Sequence, residues 1–301
     1  MNASKRIKRR RPLLHIMLIP AVVLCIIFSY IPMVGILIAF QDYNPFRGFF
    51  RSDFIGWSNF RFLMSMPNIW RVLFNTVFIA VMKIIAGTVA PITFALLLNE
   101  VRVSGLKRTI QTIVYMPNFL SWVILGSILV DILSPGDGVV NSVIKALGGD
   151  PVFFLGDPKI FPYVIVISDV WKGFGFGAIV YLAAISSVNP NLYEAAIIDG
   201  ATRLKRVFYI TIPCIAPTII LLATLSLGSI LNAGFDQIFN LYAPITYETG
   251  DIIDTFVYRL GLVSMQYGPA AAVGFSKSAV SCTLIVLSYY LARRLAGYTI
   301  F

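Results

Sequence analysis

The sequence predicts an all-α polytopic membrane protein with six transmembrane helices and both termini in the cytoplasm. Three observations carry the prediction. Of 301 residues, 58% are hydrophobic and only 13% charged, with a mean hydropathy of +0.82. A soluble domain holds about 45–50% apolar and about 25% charged residues. Apolar stretches long enough to cross a bilayer recur along the chain, and Lys and Arg gather in alternate connections between them. A soluble enzyme, a disordered chain and a disulfide scaffold are excluded.

A spanning helix needs about 20 mostly apolar residues for a hydrocarbon core about 30 Å thick. Six stretches meet that length: 13–40, 74–98, 110–133, 161–185, 211–232 and 270–292. The first is too long for a signal peptide and lacks a small-residue cleavage site, so it is expected to be a retained anchor span. Pro20, Pro32, Pro91, Pro117, Pro213 and Pro217 lie in or beside spans. They predict kinks, because neighbouring helices can satisfy the freed backbone groups.

Orientation follows from the charges. Residues Lys5–Arg11 hold six of the 24 basic side chains, and the short connections add Arg102, Lys107, Arg108, Arg203, Lys205, Arg206, Arg293 and Arg294. Arg47, Arg51, Arg61, Arg71, Lys145, Lys159 and Arg259 are spread over much longer loops. That asymmetry puts the short loops and both termini inside. Most acids fall on the other side; Glu100, Glu194 and Asp199 are inside, and Asp169 is within a span. The net charge of +10 is therefore a topology label facing anionic membrane lipid, and it does not signal a nucleic-acid partner. Residues 1–12 read as a basic cytoplasmic N-terminus and 13–301 as one membrane domain. The outer loops, about 41–70, 134–160 and 235–269, are long enough for short surface helices.

Missing chemistry narrows the function. Cys25, Cys214 and Cys282 lie far apart in apolar runs, with no disulfide or metal spacing. His15 is the only histidine and sits beside the basic terminus, so a nucleophile–base pair has no base. No Gly-Lys pair occurs, hence no phosphate-binding loop. No intramembrane acid cluster suggests a proton pump. The chain carries no enzyme site and no cofactor of its own.

One inner loop stands out, within residues 189–210. Asn189 suits an N-cap and Pro190 the first helical position. Glu194 sits early in that helix, where the macrodipole favours an acid. Ala195 and Ala196 permit close approach, Asp199 follows, and Gly200 ends the helix. A second amphipathic helix then leads to Pro213. Such a knob suits docking in a groove, although by physics alone an ordinary solvated loop reads equally well.

The stretch resembles the EAA loop of ATP-binding-cassette importer permeases: Glu-Ala-Ala, three residues, Gly, nine residues, Ile, one residue, Leu-Pro. Glu194, Ala195, Ala196, Gly200, Ile210 and Pro213 match, and Ile212 stands in place of Leu. The runs Gln41–Pro45, Leu97–Arg102, Tyr115–Trp122, Trp171–Phe176 and Asn232–Phe239 are similar to the oligosaccharide branch, especially permeases for polysaccharide-derived sugars. The resemblance implies a type I importer permease fold in a bacterial cell membrane. Implied partners are a second homologous permease, two cytosolic ATPase subunits that bind ATP and Mg, an extracellular sugar-binding lipoprotein and an oligosaccharide substrate. The coupling residues it implies are Glu194, Ala195, Ala196, Asp199 and Gly200. The rival reading is a self-sufficient secondary transporter or channel, which would transport without partners.

Candidate pathway residues lie in spans four and five. Asp169 and Lys172 are three apart on one helical face and can pair; an internal salt bridge and a substrate contact both remain open. Trp171, Phe174 and Phe176 alternate with glycines, as sugar-stacking faces or as core. Asn232, Asp236 and Gln237, at the end of span five, can hydrogen-bond hydroxyls. Lys83 and Lys277 are expected as solitary mid-span cations that snorkel, pair with the partner permease or favour an acidic sugar.

Overall fold

The computed structural model describes residues 16–228 and 230–296, with side chains to residue 290. The basic segment 1–12, His15 and the side chains of Arg293 and Arg294 lie outside the described residues. In chain order, helix α1 is Ile16–Phe40. A two-residue ladder follows, β1 (Gln41–Asp42) with β2 (Asp53–Phe54), antiparallel, Gln41 opposite Phe54. Helices α2 (Ser58–Ser65), α3 (Ile69–Asn99), α4 (Ser104–Tyr115) and α5 (Trp122–Leu133) come next. Then come α6 (Val139–Ala146), α7 (Phe161–Ser186), α8 (Pro190–Ile198) and α9 (Arg203–Leu227). Short helices α10 (Phe235–Leu241), α11 (Tyr247–Gly250) and α12 (Ile253–Tyr258) precede α13 (Tyr267–Ala296).

Five of these helices, α1, α3, α7, α9 and α13, are long and apolar enough to cross a membrane. The stretch expected as the third span is instead a pair: α4 through Phe119 meets α5 at 105°. The cause is local. Met116–Phe119 tightens into a 3₁₀ turn, with Pro117 lacking an N–H, and Leu120 is extended. Ser121 then starts a new helix, its Oγ accepting from the Ile124 N–H at 3.3 Å. Counted together the pair makes a sixth span; the 12 residues of α5 cover only about 18 Å alone. The fifth span is shorter than expected. It stops at Leu227, which leaves Asn232 outside the helix.

The described residues form two compact units, 16–66 with 257–276 and 67–256 with 277–296. In the first, an aromatic cluster closes the end of α1. Phe40 meets Phe54, Trp57, Phe60 and Phe275, with ring centroids 5.3–6.4 Å apart. Asn59 is buried, and its amide donates to the carbonyls of Ala39 and Gln41, both at 3.0 Å. These bonds hold the helix end against α2. The surface of α1 is otherwise exposed and apolar from Ile16 to Leu37, as a lipid-facing helix requires.

The second unit is built on α3 and α7. Small residues let the two approach: Ala95 and Ala178 are fully buried, and a Cβ on Gly177 would lie 3.3 Å from Pro91. One apolar cluster joins Ile79, Phe161, Ile165, Ile238 and Ile252, and another joins Tyr181, Ile185 and Ile215. Asn75 on α3 donates to the carbonyls of Glu248 (3.0 Å) and Asp251 (3.3 Å), which pins the α11 loop to the start of the span.

Candidate functional site

The polar residues of the second unit converge where the fifth span breaks. Gly234 has φ +97°, a left-handed conformation, and a Cβ there would lie 2.8 Å from the Lys83 Nζ. Only glycine meets both demands. The Lys83 ammonium reaches from α3 and donates to the Ala233 carbonyl at 2.7 Å and to the Gln237 Oε1. It also pairs with Asp169 Oδ1 on α7 at 3.3 Å. Gln237 is fully buried, and its Nε2 donates to the Ile165 carbonyl (2.7 Å) and Ser168 Oγ (2.8 Å). Lys83 and Gln237 thus clasp the break of the fifth span onto α3 and α7.

This geometry corrects several expectations. Asp169 and Lys172 do not pair. Asp169 turns to Lys83, while Lys172 donates to the carbonyls of Pro117 (3.3 Å), Asn118 (3.1 Å) and Leu120 at the bend between α4 and α5. Its ammonium also lies 5.5 Å from the Trp122 ring centroid. The bend frees carbonyls from helical bonding, and a half-buried cation is a strong donor to them. Lys83 and Lys277 are not solitary: Lys277 pairs with Asp254 of α12. Gln237 spends its amide inside the protein.

Beside the clasp lies a cavity of about 250 Å³ lined by Lys83, Gly87, Thr88, Asp169, Ser226 and Asn232. Asp169 is partly exposed there, with 38% of its side chain accessible, and Asn232 is exposed. A carboxylate, an amide and two hydroxyls in one concavity can pair with the hydroxyls of a polar ligand. Asp236 is exposed but does not line this cavity. Phe174 packs edge-on against Phe94, centroids 5.2 Å apart, and Phe176 against Phe119 at 6.2 Å. Trp171 and Phe176 keep large exposed faces.

The other candidate region is α8 and its flanks. Asn189 Oδ1 accepts from the Asn191 N–H at 3.0 Å, and Pro190 takes the first helical position. Gly200, at φ +72°, ends the helix. Its N–H donates to the Ile197 carbonyl (3.0 Å), and the Ala201 N–H to the Ala196 carbonyl (2.8 Å), the two bonds of a Schellman stop. Glu194 is the fifth helical residue, past the first turn, so the macrodipole acts on it less than its sequence position suggests. Glu194, Ala195, Asp199 and Gly200 are exposed, and Ala196 is half-buried. Ile197, Ile198, Leu204, Phe208 and Tyr209 are exposed around them, Ile198 at 86%. A Tyr193–Thr211 hydroxyl contact of 2.9 Å ties the knob to α9.

Residues 91–297 match the family described as the binding-protein-dependent transport system inner membrane component. The chain belongs to that family. The permease is 41% identical to Protein LplB of Bacillus subtilis (strain 168), over 95% of this chain and 90% of that protein. It is 38% identical to the polygalacturonan/rhamnogalacturonan transport system permease protein YteP of the same organism, over 96% and 93%. A permease chain in the crystal structure of a bacterial alginate ABC transporter, in complex with an alginate pentasaccharide-bound periplasmic protein, superposes with TM-score 0.89 at 40% identity. That match covers 100% of both chains.

Within the permease, the sequence reading missed Lys83 as the centre of the clasp and Thr88, Gly87 and Ser226 as cavity wall. One signal was present. A cation inside a span needs a partner, but its partners lie 86 and 154 positions away, beyond any local pattern. The seat of Lys172 was signalled by the Pro117-Asn118 pair, which marks a bend.

Proposed function

We propose that the permease forms half of the translocation pathway of an ATP-driven importer for oligosaccharides released from a polysaccharide. It works in a bacterial plasma membrane with both termini in the cytoplasm. A second, homologous permease completes the pathway. Two cytosolic ATPase subunits bind ATP and Mg, and an extracellular binding protein delivers the sugar. The named relatives support the substrate class, since one handles polygalacturonan or rhamnogalacturonan and one carries alginate. The charge asymmetry of the loops supports the orientation.

The observation that carries the mechanism is the knob at 190–209. It is a short helix with a sharp glycine stop, an exposed apolar surface and two exposed acids. That shape suits insertion into a groove on an ATPase subunit. When ATP closes the ATPases, their grooves draw the knobs together and the pathway turns from inward- to outward-facing. Sugar released by the binding protein enters, and hydrolysis resets the cycle. Such coupling requires the two states to hold the partners with different affinity. The cavity beside Lys83 and Asp169 supplies hydroxyl-pairing groups to that pathway.

Capture of the ATPase through the permease tests the knob. Gly200→Pro is incompatible with φ +72° and deletes an N–H that is bonded to Ile197. Gly200→Asn tolerates the left-handed conformation. Wild type and Gly200→Asn should capture the ATPase and Gly200→Pro should not, with all three permeases eluting as monodisperse particles. Equal capture by all three would sink the coupling assignment.

A further inference from the structure

We infer that the unit formed by residues 16–66 and 257–276 carries a second saccharide site, one that receives a sugar ring through its hydroxyls and not through a carboxylate. The site is a cavity of about 340 Å³ whose walls include Gln41, Asp42, Tyr43, Phe62, Gln266 and Tyr267. Its residues all fall in segments that the charge count places outside. It shares no residue with the cavity beside the polar clasp.

The lining has the composition a pyranose needs. Tyr43 and Tyr267 stand edge to face, centroids 5.9 Å apart, and Phe62 is half exposed. Aromatic surface of this kind packs against the C–H face of a sugar. Amides both donate to and accept from its hydroxyls, and a carboxylate accepts from them. Gln266 brings an exposed amide to the wall, and Gln41 a second whose Nε2 donates to the Phe49 carbonyl at 3.2 Å.

The wall of the cavity is closely packed. Gly268 forms part of its wall, and a Cβ there would lie 2.7 Å from the Asn59 amide and 2.9 Å from the Gln41 carbonyl. Met265, on the rim, holds φ +56°, a strained conformation of the kind that gathers at ligand sites.

Charge selects the ligand. No lysine or arginine lines the cavity, and its single carboxylate is Asp42. The neighbouring Asp53 is neutralised by Arg47 at 3.1 Å, whereas Asp42 has no ion-pair partner among the described residues. A uronate would bring a second negative charge to Asp42, while a neutral ring brings only donors.

The relevance of this site to uptake rests on the proposed importer, but its binding does not. The test uses the permease in its complex with the second permease and ATPase, in nanodiscs and without binding protein. Saturation-transfer NMR is read with α-1,4-galactobiose, maltose and α-1,4-digalacturonate. At least one neutral disaccharide should receive saturation from aromatic protons at least fivefold more strongly than digalacturonate. Gln266→Leu, at an exposed wall position, should lower that signal at least fivefold without lowering the melting temperature, and Asp42→Asn should remove the discrimination against digalacturonate. No transfer to either neutral sugar would overturn the proposal, as would signals unchanged in both variants. Binding of a lysine- or arginine-bearing peptide in place of every sugar would also overturn it, marking a protein-docking cage. Failure here leaves ATP-driven uptake intact, and failure of the importer reading leaves sugar binding intact.

Discussion

Replacing Lys83 by Met removes the ammonium from the centre of the clasp while keeping a long apolar side chain in the same space. Three acceptors lose a donor: the Gln237 Oε1, the Ala233 carbonyl and Asp169. Gln237 and Ala233 are fully buried, and each buried orphan costs about 1–3 kcal/mol. Asp169 is 38% exposed, so water replaces much of its lost partner, and its share is about 1 kcal/mol. The sum is about 3–7 kcal/mol. At roughly 2–4 °C per kcal/mol for a domain of this size, the melting temperature of the purified complex should fall by roughly 6–28 °C. The assay is a thermal ramp read by loss of the monodisperse peak. Adding Asp169→Asn should recover only the smallest part, because the carbonyl and the buried amide stay unpaired. A fall below about 2 °C, or full recovery by Asp169→Asn, would refute the argument that Lys83 holds the broken span through backbone and amide.

Lys172→Met should loosen the bend between α4 and α5 by about 2–4 kcal/mol, since three carbonyls lose their donor. Faster hydrogen exchange at residues 116–124, with exchange in α13 unchanged, is the reading expected. Gly175→Ala should destabilise by at least about 1–3 kcal/mol, because its Cβ would meet the Val114 side chain at 2.5 Å and the Val114 carbonyl at 2.6 Å; the same thermal ramp measures it. Gly200→Val, with a branched side chain forced to φ +72°, should uncouple ATP hydrolysis from uptake. Gly200→Asn should retain most of the coupling, as read by the ratio of sugar moved to phosphate released.

What was legible in the sequence was what is local in the chain. Hydropathy windows find α1, α3, α7, α9 and α13 because each is a continuous run whose apolar side chains must meet lipid or another helix. The stop at Gly200 was legible for the same reason, since helix, left-handed glycine and flanking acids lie within a few residues. Pro117 announced a kink, but a bend of 105° was hidden because an average over a window smooths across Pro117 and Asn118 and runs the amphipathic α4 into the apolar α5. The clasp was legible only as a mid-span cation in need of a partner. Its geometry depends on Gly234 leaving the helix and on Gln237 turning inward, so that a lysine far away in sequence has somewhere to bond. Asp169 and Lys172 show the limit of spacing arguments: three residues apart permits a pair, but each found a stronger partner on another helix.

The central claim is that this permease moves saccharide only as part of an ATP-driven assembly. Proteoliposomes holding the permease with its co-purifying partner permease and ATPase, supplied with binding protein outside and labelled oligosaccharide, measure it directly. Uptake should require ATP inside, cease with Gly200→Pro, and be absent from vesicles that contain this chain alone. Uptake by the chain alone, or uptake indifferent to ATP, would contradict the account.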